Sequence, residues 1–133
     1  MKFLILIIVF VVLATAYVRF APLRLDAGFD LPQTPVDLDE AGRYTVVRRV
    51  AGDDADVLAR VTQIAVATPR TVKISDDPLR FVTRSRIMGF PDITTVAIKD
   101  GVLIITAGLV FGSNDLGVNK ARVLAWLDQL GPL

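Results

Sequence analysis

The first twenty residues constrain this chain most, because they form an almost uninterrupted apolar run. From residue 3 to residue 18 the polar groups are the hydroxyls of Thr15 and Tyr17, and a lysine and an arginine flank the run. A helix of 16 residues rises about 24 Å, slightly less than the ~30 Å hydrocarbon core, and the flanking basic side chains can snorkel. The sequence therefore predicts a membrane-contacting helix within residues 1–20.

Two interpretations of this helix remain open. It is a secretory signal peptide if cleavage follows Ala16, where residues 14–16 have the small-x-small pattern Ala-Thr-Ala. It is an uncleaved single-pass anchor if the apolar character beyond that bond matters, since Tyr17, Arg19 and Phe20 are typical of an interfacial belt. The length of the apolar run and the belt of interfacial residues after it favour the anchor. Both interpretations predict a following domain outside the cytoplasm, in the cell envelope.

The composition excludes several classes of chemistry. The chain has no His and no Cys, which removes the usual Ser-His-Asp and Cys-His nucleophiles, ordinary zinc sites and disulfides. Residues 43–133 carry 12 Lys and Arg against 9 Asp, too small an excess for a nucleic-acid binder. We therefore predict no metal, no cofactor and no nucleic-acid partner.

A proline-containing acidic linker is predicted at residues 21–42, ahead of a domain at residues 43–133. The linker shows no sustained period of two or 3.6 residues, which is typical of irregular structure. Its prolines and acids are Pro22, Pro32, Pro35, Asp26, Asp30, Asp37, Asp39 and Glu40, against Arg24.

The domain has patterns typical of five strands and two helices. Asp53 suits the N-cap of a helix that ends at Thr68-Pro69, and Asp100-Gly101 is the pair that a two-residue hairpin of type I′ prefers. A second helix begins near Asp115 or Asn119. The predicted strands cover residues 44–50, 71–75, 79–88, 93–99 and 102–107.

The order β-α-β-β-β-β-α predicts an α+β fold. Short connections make neighbouring strands antiparallel, and two amphipathic helices need a sheet face to cover. We expect a two-layer sandwich with a mostly antiparallel five-stranded sheet, both helices on one face, and the other face exposed to water.

Two segments carry a family resemblance. One is Arg-Ile-Met-Gly-Phe-Pro-Asp at residues 86–92, and the other is Gly-Ser-Asn-Asp-Leu-Gly-Val-Asn-Lys-Ala-Arg-Val at residues 112–123. Together with Tyr-Val-Arg-Phe-Ala-Pro at residues 17–22 behind the apolar run, they resemble the domain of unknown function 1499 family. The Ser/Arg-alternating stretch that often precedes the glycine in that family is replaced here by Ala-Gly-Leu-Val-Phe at residues 107–111. The resemblance implies a fold but no established activity.

Arginines in the strand at residues 79–88 are the first candidate site. Alternation places Arg80, Val82, Arg84 and Arg86 on one face. Guanidinium groups donate in pairs to phosphates and carboxylates, so Arg84 and Arg86 are candidate contacts for an anionic ligand. A solvated outer face with no ligand is the alternative, and it is the default for such sheets.

The start of the last helix is the second candidate site, with Asp115, Asn119 and Arg122. One interpretation is an anion site at the helix N-terminus, with Arg122 completing it. The other is structural: Asp115 caps the helix, Asn119 helps to tie the loop to the sheet, and Arg122 pairs with an aspartate. A carboxylate at the positive end of the helix dipole favours the structural interpretation.

These patterns favour binding over catalysis. We expect an anchored envelope module that binds or scaffolds an anionic lipid, an envelope polymer or an envelope protein. The alternative is a hydrolase or transferase that uses Asp115, Asn119 and Arg122 without His or Cys. That enzyme requires a concave pocket at the last helix and an aspartate of raised pKa.

Overall fold

The structure is a computed structural model that describes residues 1–23, 25 and 29–133. Arg24 and Asp26 of the predicted linker lie outside the described residues. In chain order the elements are α1 (Lys2–Phe20), β1 (Leu38–Glu40), β2 (Arg43–Arg49), α2 (Asp54–Ala67), β3 (Thr71–Asp76), β4 (Leu79–Arg84), β5 (Pro91–Lys99), β6 (Val102–Leu109) and α3 (Val118–Leu130).

The strands form one antiparallel sheet in the order β1-β2-β6-β5-β4-β3. The predicted α+β class is confirmed, but the expected number of five strands is wrong. The sixth strand is β1, whose residue Asp39 pairs with Tyr44 of β2. Its three residues lie in the segment predicted as linker, and so short a strand shows no periodicity in the sequence.

Local turn chemistry sets two of the connections between strands. Asp100 and Gly101 both have positive φ, 52° and 70°, as the predicted hairpin between β5 and β6 requires. The strand predicted to reach residue 88 instead ends at Arg84. It ends there because the Ser85 N–H donates to the Phe90 carbonyl at 2.9 Å, and the Phe90 N–H donates to the Ser85 hydroxyl at 2.9 Å.

Helices α2 and α3 pack on one face of the sheet and enclose the main core. Asp53 caps α2, and its carboxylate accepts from the Ala55 N–H at 3.1 Å. Trp126 of α3 meets Phe81 of β4 edge to face, with ring centroids 5.8 Å apart. The core residues are Val46, Val57, Val61, Ala65, Leu79, Phe81, Val96, Leu103, Ile105, Ala107, Val123, Trp126 and Leu130.

The opposite face of the sheet is also buried in its centre, so the expectation that this face is exposed to water is wrong there. Ile93 and Ile104 on that face are each 1 % exposed. Residues from the predicted linker lie against this face, since the Thr95 hydroxyl donates to the Phe29 carbonyl at 2.6 Å. Arg80 is 8 % exposed and pairs with Asp30. It therefore belongs to this contact and not to an exposed row of arginines.

Helix α1 has no buried residue, and it is the one helix in the described residues that is long and apolar enough to cross a membrane. At 1.5 Å per residue, its 19 residues span about 28 Å. Its C-terminal end contacts the β4–β5 loop. There a guanidinium nitrogen of Arg84 lies 3.5 Å from the Val18 carbonyl, and the Arg19 side chain packs beside Gly89.

Candidate functional site

A cleft of about 640 Å³ opens between α2, α3 and the ends of β4 and β5. Apolar residues from both helices form part of its wall, including Trp126, the single tryptophan of the chain. Four arginines and one aspartate contribute its charge: Arg70, Arg84, Arg86, Arg122 and Asp92. The lining therefore carries a clear excess of positive charge in a concave, partly apolar site.

Arg122 and Asp92 form a largely buried ion pair in the lining of this cleft. The Arg122 side chain is 7 % exposed and the Asp92 side chain 18 %, and Nη2 of Arg122 lies 3.0 Å from Oδ2 of Asp92. The same nitrogen donates to the Asn119 side-chain oxygen at 2.6 Å. Nη1 of Arg122 is buried and has no hydrogen-bond partner among the described residues. The arginine therefore retains donor capacity after its protein contacts are made.

Burial governs the electrostatics of this pair. Burial is the largest cause that raises the pKa of Asp92 to about 6; the Arg122 charge opposes it, and nearby Asp115 adds a smaller upward effect. Burial also lowers the pKa of Arg122 from its usual value, opposed by Asp92 and Asp115. Asp92 therefore changes charge close to neutral pH, whereas a guanidinium stays charged.

Asp115 and Asn119 brace the start of α3 behind the cleft. Burial raises the pKa of Asp115, but the N–H groups of Asn119 and Gly117 each donate to its carboxylate at 2.9 Å and bring the pKa below its usual value. The Asp115 N–H also donates to the Ala41 carbonyl at 2.9 Å. Asn119 is fully buried. Asp115 therefore binds backbone N–H groups at the start of α3, although the N-cap position itself is Gly117. The Asn119 side-chain oxygen accepts from Arg122 of the same helix, and its amide nitrogen has no hydrogen-bond partner among the described residues, so these contacts do not show the expected tie to the sheet.

The remaining arginines lie at one end of the sheet: Arg70 just before β3, Arg84 at the end of β4 and Arg86 in the loop after β4. Arg70 and Arg84 are joined twice: the Arg84 N–H donates to the Arg70 carbonyl, and Nε of Arg70 donates to the Arg84 carbonyl, each at 3.0 Å. The Arg84 guanidinium also donates to the Gly89 carbonyl at 3.0 Å. Arg86 is exposed in the loop after β4.

The structure brings three of the five candidate residues into one cleft and leaves the other two behind it. Arg84, Arg86 and Arg122 line the cleft, although Arg84 and Arg86 do not form the predicted row along a strand. The sequence interpretation missed Arg70 and Asp92 as site residues. Asp92 had a usable signal, because alternation along β5 places its charge in phase with the core residue Val96.

No group of three or more His, Cys, Asp or Glu that could hold a metal ion occurs in the described part of the chain. Asp92 is the one acidic residue of the cleft lining, which also contains four arginines. This donor set suits an anion better than a cation.

A comparison with known families matches residues 30–130 to "Protein of unknown function (DUF1499)". The chain belongs to the DUF1499 family. The resemblance drawn from residues 86–92 and 112–123 is thereby confirmed. The matched range of the DUF1499 domain includes every charged residue of the cleft and all six strands, and it leaves α1 outside. No curated protein matches the chain.

Proposed function

We propose that this DUF1499 domain is a binding module for a phosphate- or carboxylate-bearing ligand, held at a membrane by α1. The observation that supports this most is the unpaired donor of Arg122. This cleft residue is only 9 % exposed, and one of its guanidinium nitrogens has no hydrogen-bond partner among the described residues. Leaving a buried charged donor unpaired is costly. Because Arg122 lines the cleft and Nη1 is shielded from solvent, we propose that the guanidinium group rotates when an anion enters the cleft and then donates to it from this nitrogen.

The charge of the cleft supports an anionic ligand over a neutral one. The cleft lining contains four arginines and a single aspartate, so its net charge at neutral pH is positive. The low-dielectric walls formed by Trp126 and its neighbours strengthen the potential of that charge. Guanidinium groups donate in pairs to planar or tetrahedral anions, which lysines do not.

The tether supports a role next to a bilayer. Helix α1 has a mean hydropathy of 2.6 over its most apolar window, and it continues through Phe20 without a break at Ala16. We propose that it remains uncleaved as a single-pass anchor and that the domain lies outside the cytoplasm, in the envelope. Cleavage after Ala16 stays the alternative, and mass spectrometry of the purified protein from its native host distinguishes the two.

Ligand binding is best tested with the full chain in detergent micelles, using the fluorescence of Trp126 as the reporter. Titration with inorganic phosphate and pyrophosphate should change the emission with a saturable profile, because Trp126 lines the cleft. Arg86→Ala should weaken the affinity severalfold. The matched control is Arg49→Ala, since Arg49 is also exposed but lies at the far end of β2, outside the cleft.

Two results would contradict the proposal. One is a linear, non-saturating response to both anions at low ionic strength. The other is an equal loss of affinity in Arg86→Ala and Arg49→Ala, which would indicate non-specific attraction to surface charge.

A second candidate function is acid–base catalysis of hydrolysis or group transfer in the same cleft. Its support is the raised pKa of Asp92, about 6, beside Arg122, an arrangement frequent at active sites. Asp115, which the sequence suggested for this role, has a lowered pKa, and both of its carboxylate oxygens accept hydrogen bonds from backbone N–H groups. Asp92 therefore fits the role better than Asp115 does.

The two functions predict different behaviour with a phosphate ester. A binding module returns p-nitrophenyl phosphate unchanged, whereas a hydrolase releases p-nitrophenol with a rate that Asp92→Asn abolishes. Turnover by the wild-type chain that persists in Asp92→Asn would exclude Asp92 as the acid–base group.

A further inference from the structure

Large apolar side chains are exposed in two loops, and at the first residue of α3, at the α1 end of the domain. The most exposed are Leu116 at 89 % and Ile87 at 84 %. We name the full set the apolar rim; its members are Ile87, Phe90, Phe111, Leu116 and Val118. Single exposed apolar residues need no explanation, but a group concentrated in neighbouring loops indicates an interaction surface.

Contacts between the two loops bring Phe90 and Phe111 of the rim together. The ring centroids of Phe90 and Phe111 are 6.3 Å apart. The Val110 N–H donates to the Pro91 carbonyl at 3.2 Å, which joins the strand ends beneath the rings. The loop after β4 and the loop before α3 are therefore held side by side.

Helix α1 ends against the first of these loops, the one after β4. The Arg19 side chain packs beside Gly89, and Arg84 reaches the Val18 carbonyl at 3.5 Å. Gly89 lies between Ile87 and Phe90 in sequence. If α1 crosses a bilayer, the rim therefore starts within one loop of the point at which the chain leaves the membrane.

Leu116 gives an independent reason to assign a role to the rim. Its φ is 55°, a left-handed conformation that costs a leucine free energy and that glycine or asparagine adopts readily. The turn does not use its side chain, since the hydrogen bonds there run from the Leu116 and Gly117 N–H groups to the side chains of Asn114 and Asp115. Folding alone gives no reason for a strained, exposed leucine at this position.

We propose that the apolar rim inserts into the interfacial layer of the bilayer that holds α1. The rim binds the lipid interface and not another protein, because α1 holds the rim close to the bilayer. Arg86 precedes Ile87 in the chain and Arg19 packs beside Gly89, and basic side chains near apolar ones suit the depth of the lipid phosphates. Arg86 and Val118 also line the cleft, so docking places the cleft opening at the level of the headgroups.

This inference rests on the anchor in the proposed function but not on anion binding. The chain has no cysteine, so single cysteines can be introduced without removing others. We place the full chain in phosphatidylcholine nanodiscs, attach an environment-sensitive fluorophore at Ile87→Cys or Leu116→Cys, and measure quenching by lipids with a nitroxide on the headgroup. The matched control is Ala51→Cys, an exposed position at the opposite end of the sheet.

We expect quenching at Ile87 and at Leu116 to exceed quenching at Ala51 severalfold, and the emission of both rim labels to shift to the blue. Quenching at both rim positions equal to that at Ala51 would overturn the proposal. Two separate positions keep the test decisive if one label disturbs its loop.

A fourth label separates the possible failures. Leu6→Cys, within α1, reports insertion of the helix through quenching by lipids with a nitroxide on the acyl chain. If Leu6 is quenched and the rim is not, the anchor stands and docking is wrong. If neither is quenched, the anchor and docking both fail, while anion binding in micelles is unaffected and is judged by its own titration.

Discussion

Arg122 holds Asp92 at 3.0 Å in the lining of the cleft, yet the pKa of that aspartate is raised to about 6. A neighbouring positive charge by itself lowers the pKa of a carboxyl group. Here burial outweighs the attraction, because a carboxylate that is 18 % exposed has lost most of its hydration. This pair supplies a titratable group near neutral pH and a buried donor in the same site.

Replacing Arg122 should destabilise the domain in a pH-dependent way. In Arg122→Gln, Asp92 loses its counter-ion, so we expect a loss of about 3 kcal/mol at pH 7.5, the usual consequence of breaking a buried pair. At pH 5 the loss should be smaller, because Asp92, whose pKa is about 6 with Arg122 present and rises further without it, is then mostly neutral. Urea unfolding in micelles, followed by Trp126 fluorescence, measures both values. An equal loss at the two pH values would show that the effect of Arg122→Gln on stability does not depend on the ionisation of Asp92.

Asp92→Asn should remove a contribution to stability that decreases as the pH rises, which is the opposite of the usual behaviour of an aspartate. The folded pKa of about 6 exceeds the unfolded value of about 3.9, so the folded state binds more protons between these values. The contribution of Asp92 is therefore fully present below pH 4 and lost as the pH rises through 6. We expect the difference between wild type and Asp92→Asn to fall by about 2 to 3 kcal/mol from pH 4 to pH 7. A difference that is constant with pH would contradict the raised pKa.

Anion affinity should rise as the pH falls. Protonation of Asp92 removes the single negative charge from a lining that also holds four arginines. We expect sulfate, whose own charge is constant over this range, to bind about fivefold more tightly at pH 5 than at pH 7.5. In Asp92→Asn the affinity should be high at both values. A wild-type affinity that does not change with pH would place the bound anion away from Asp92.

Leu116→Asn should separate folding from membrane contact. Asparagine tolerates the left-handed φ of 55° better than leucine, so the free energy of unfolding should stay equal or rise by about 1 kcal/mol. Quenching of a label at Ile87 by bilayer nitroxides should nevertheless decrease, because the rim loses its most exposed apolar side chain. Chemical denaturation and the nanodisc assay measure the two effects. The control is Leu124→Asn, which removes an exposed leucine from α3, outside the rim.

Elements with strong local signals were predictable from the sequence. The cap at Asp53 and the positive-φ pair Asp100-Gly101 depend on residues within a few positions of each other, and both formed as expected. The apolar helix at the N-terminus is likewise predictable from its own residues, without reference to any distant segment of the chain. Strand β1 was missed because its existence depends on pairing with Tyr44 and its neighbours, and three residues hold no pattern of their own.

The candidate site shows the same division. Arg84, Arg86 and Arg122 stood out by residue type, but their common cleft depends on α3 packing beside β4 and β5. Burial of Arg80 depends on Asp30, fifty residues earlier in the chain.

The amino-acid sequence by itself determined the apolar helix, the α+β class, the family and the absence of histidine and thiol chemistry. These follow from composition and from interactions between residues close in the chain. Only the tertiary structure decided that the second sheet face is buried, that Asp92 titrates near pH 6, and that the arginines share one cleft with the apolar rim beside it. The reason is that desolvation and electrostatic potential depend on which distant segments exclude water from a group, and no local pattern specifies those segments.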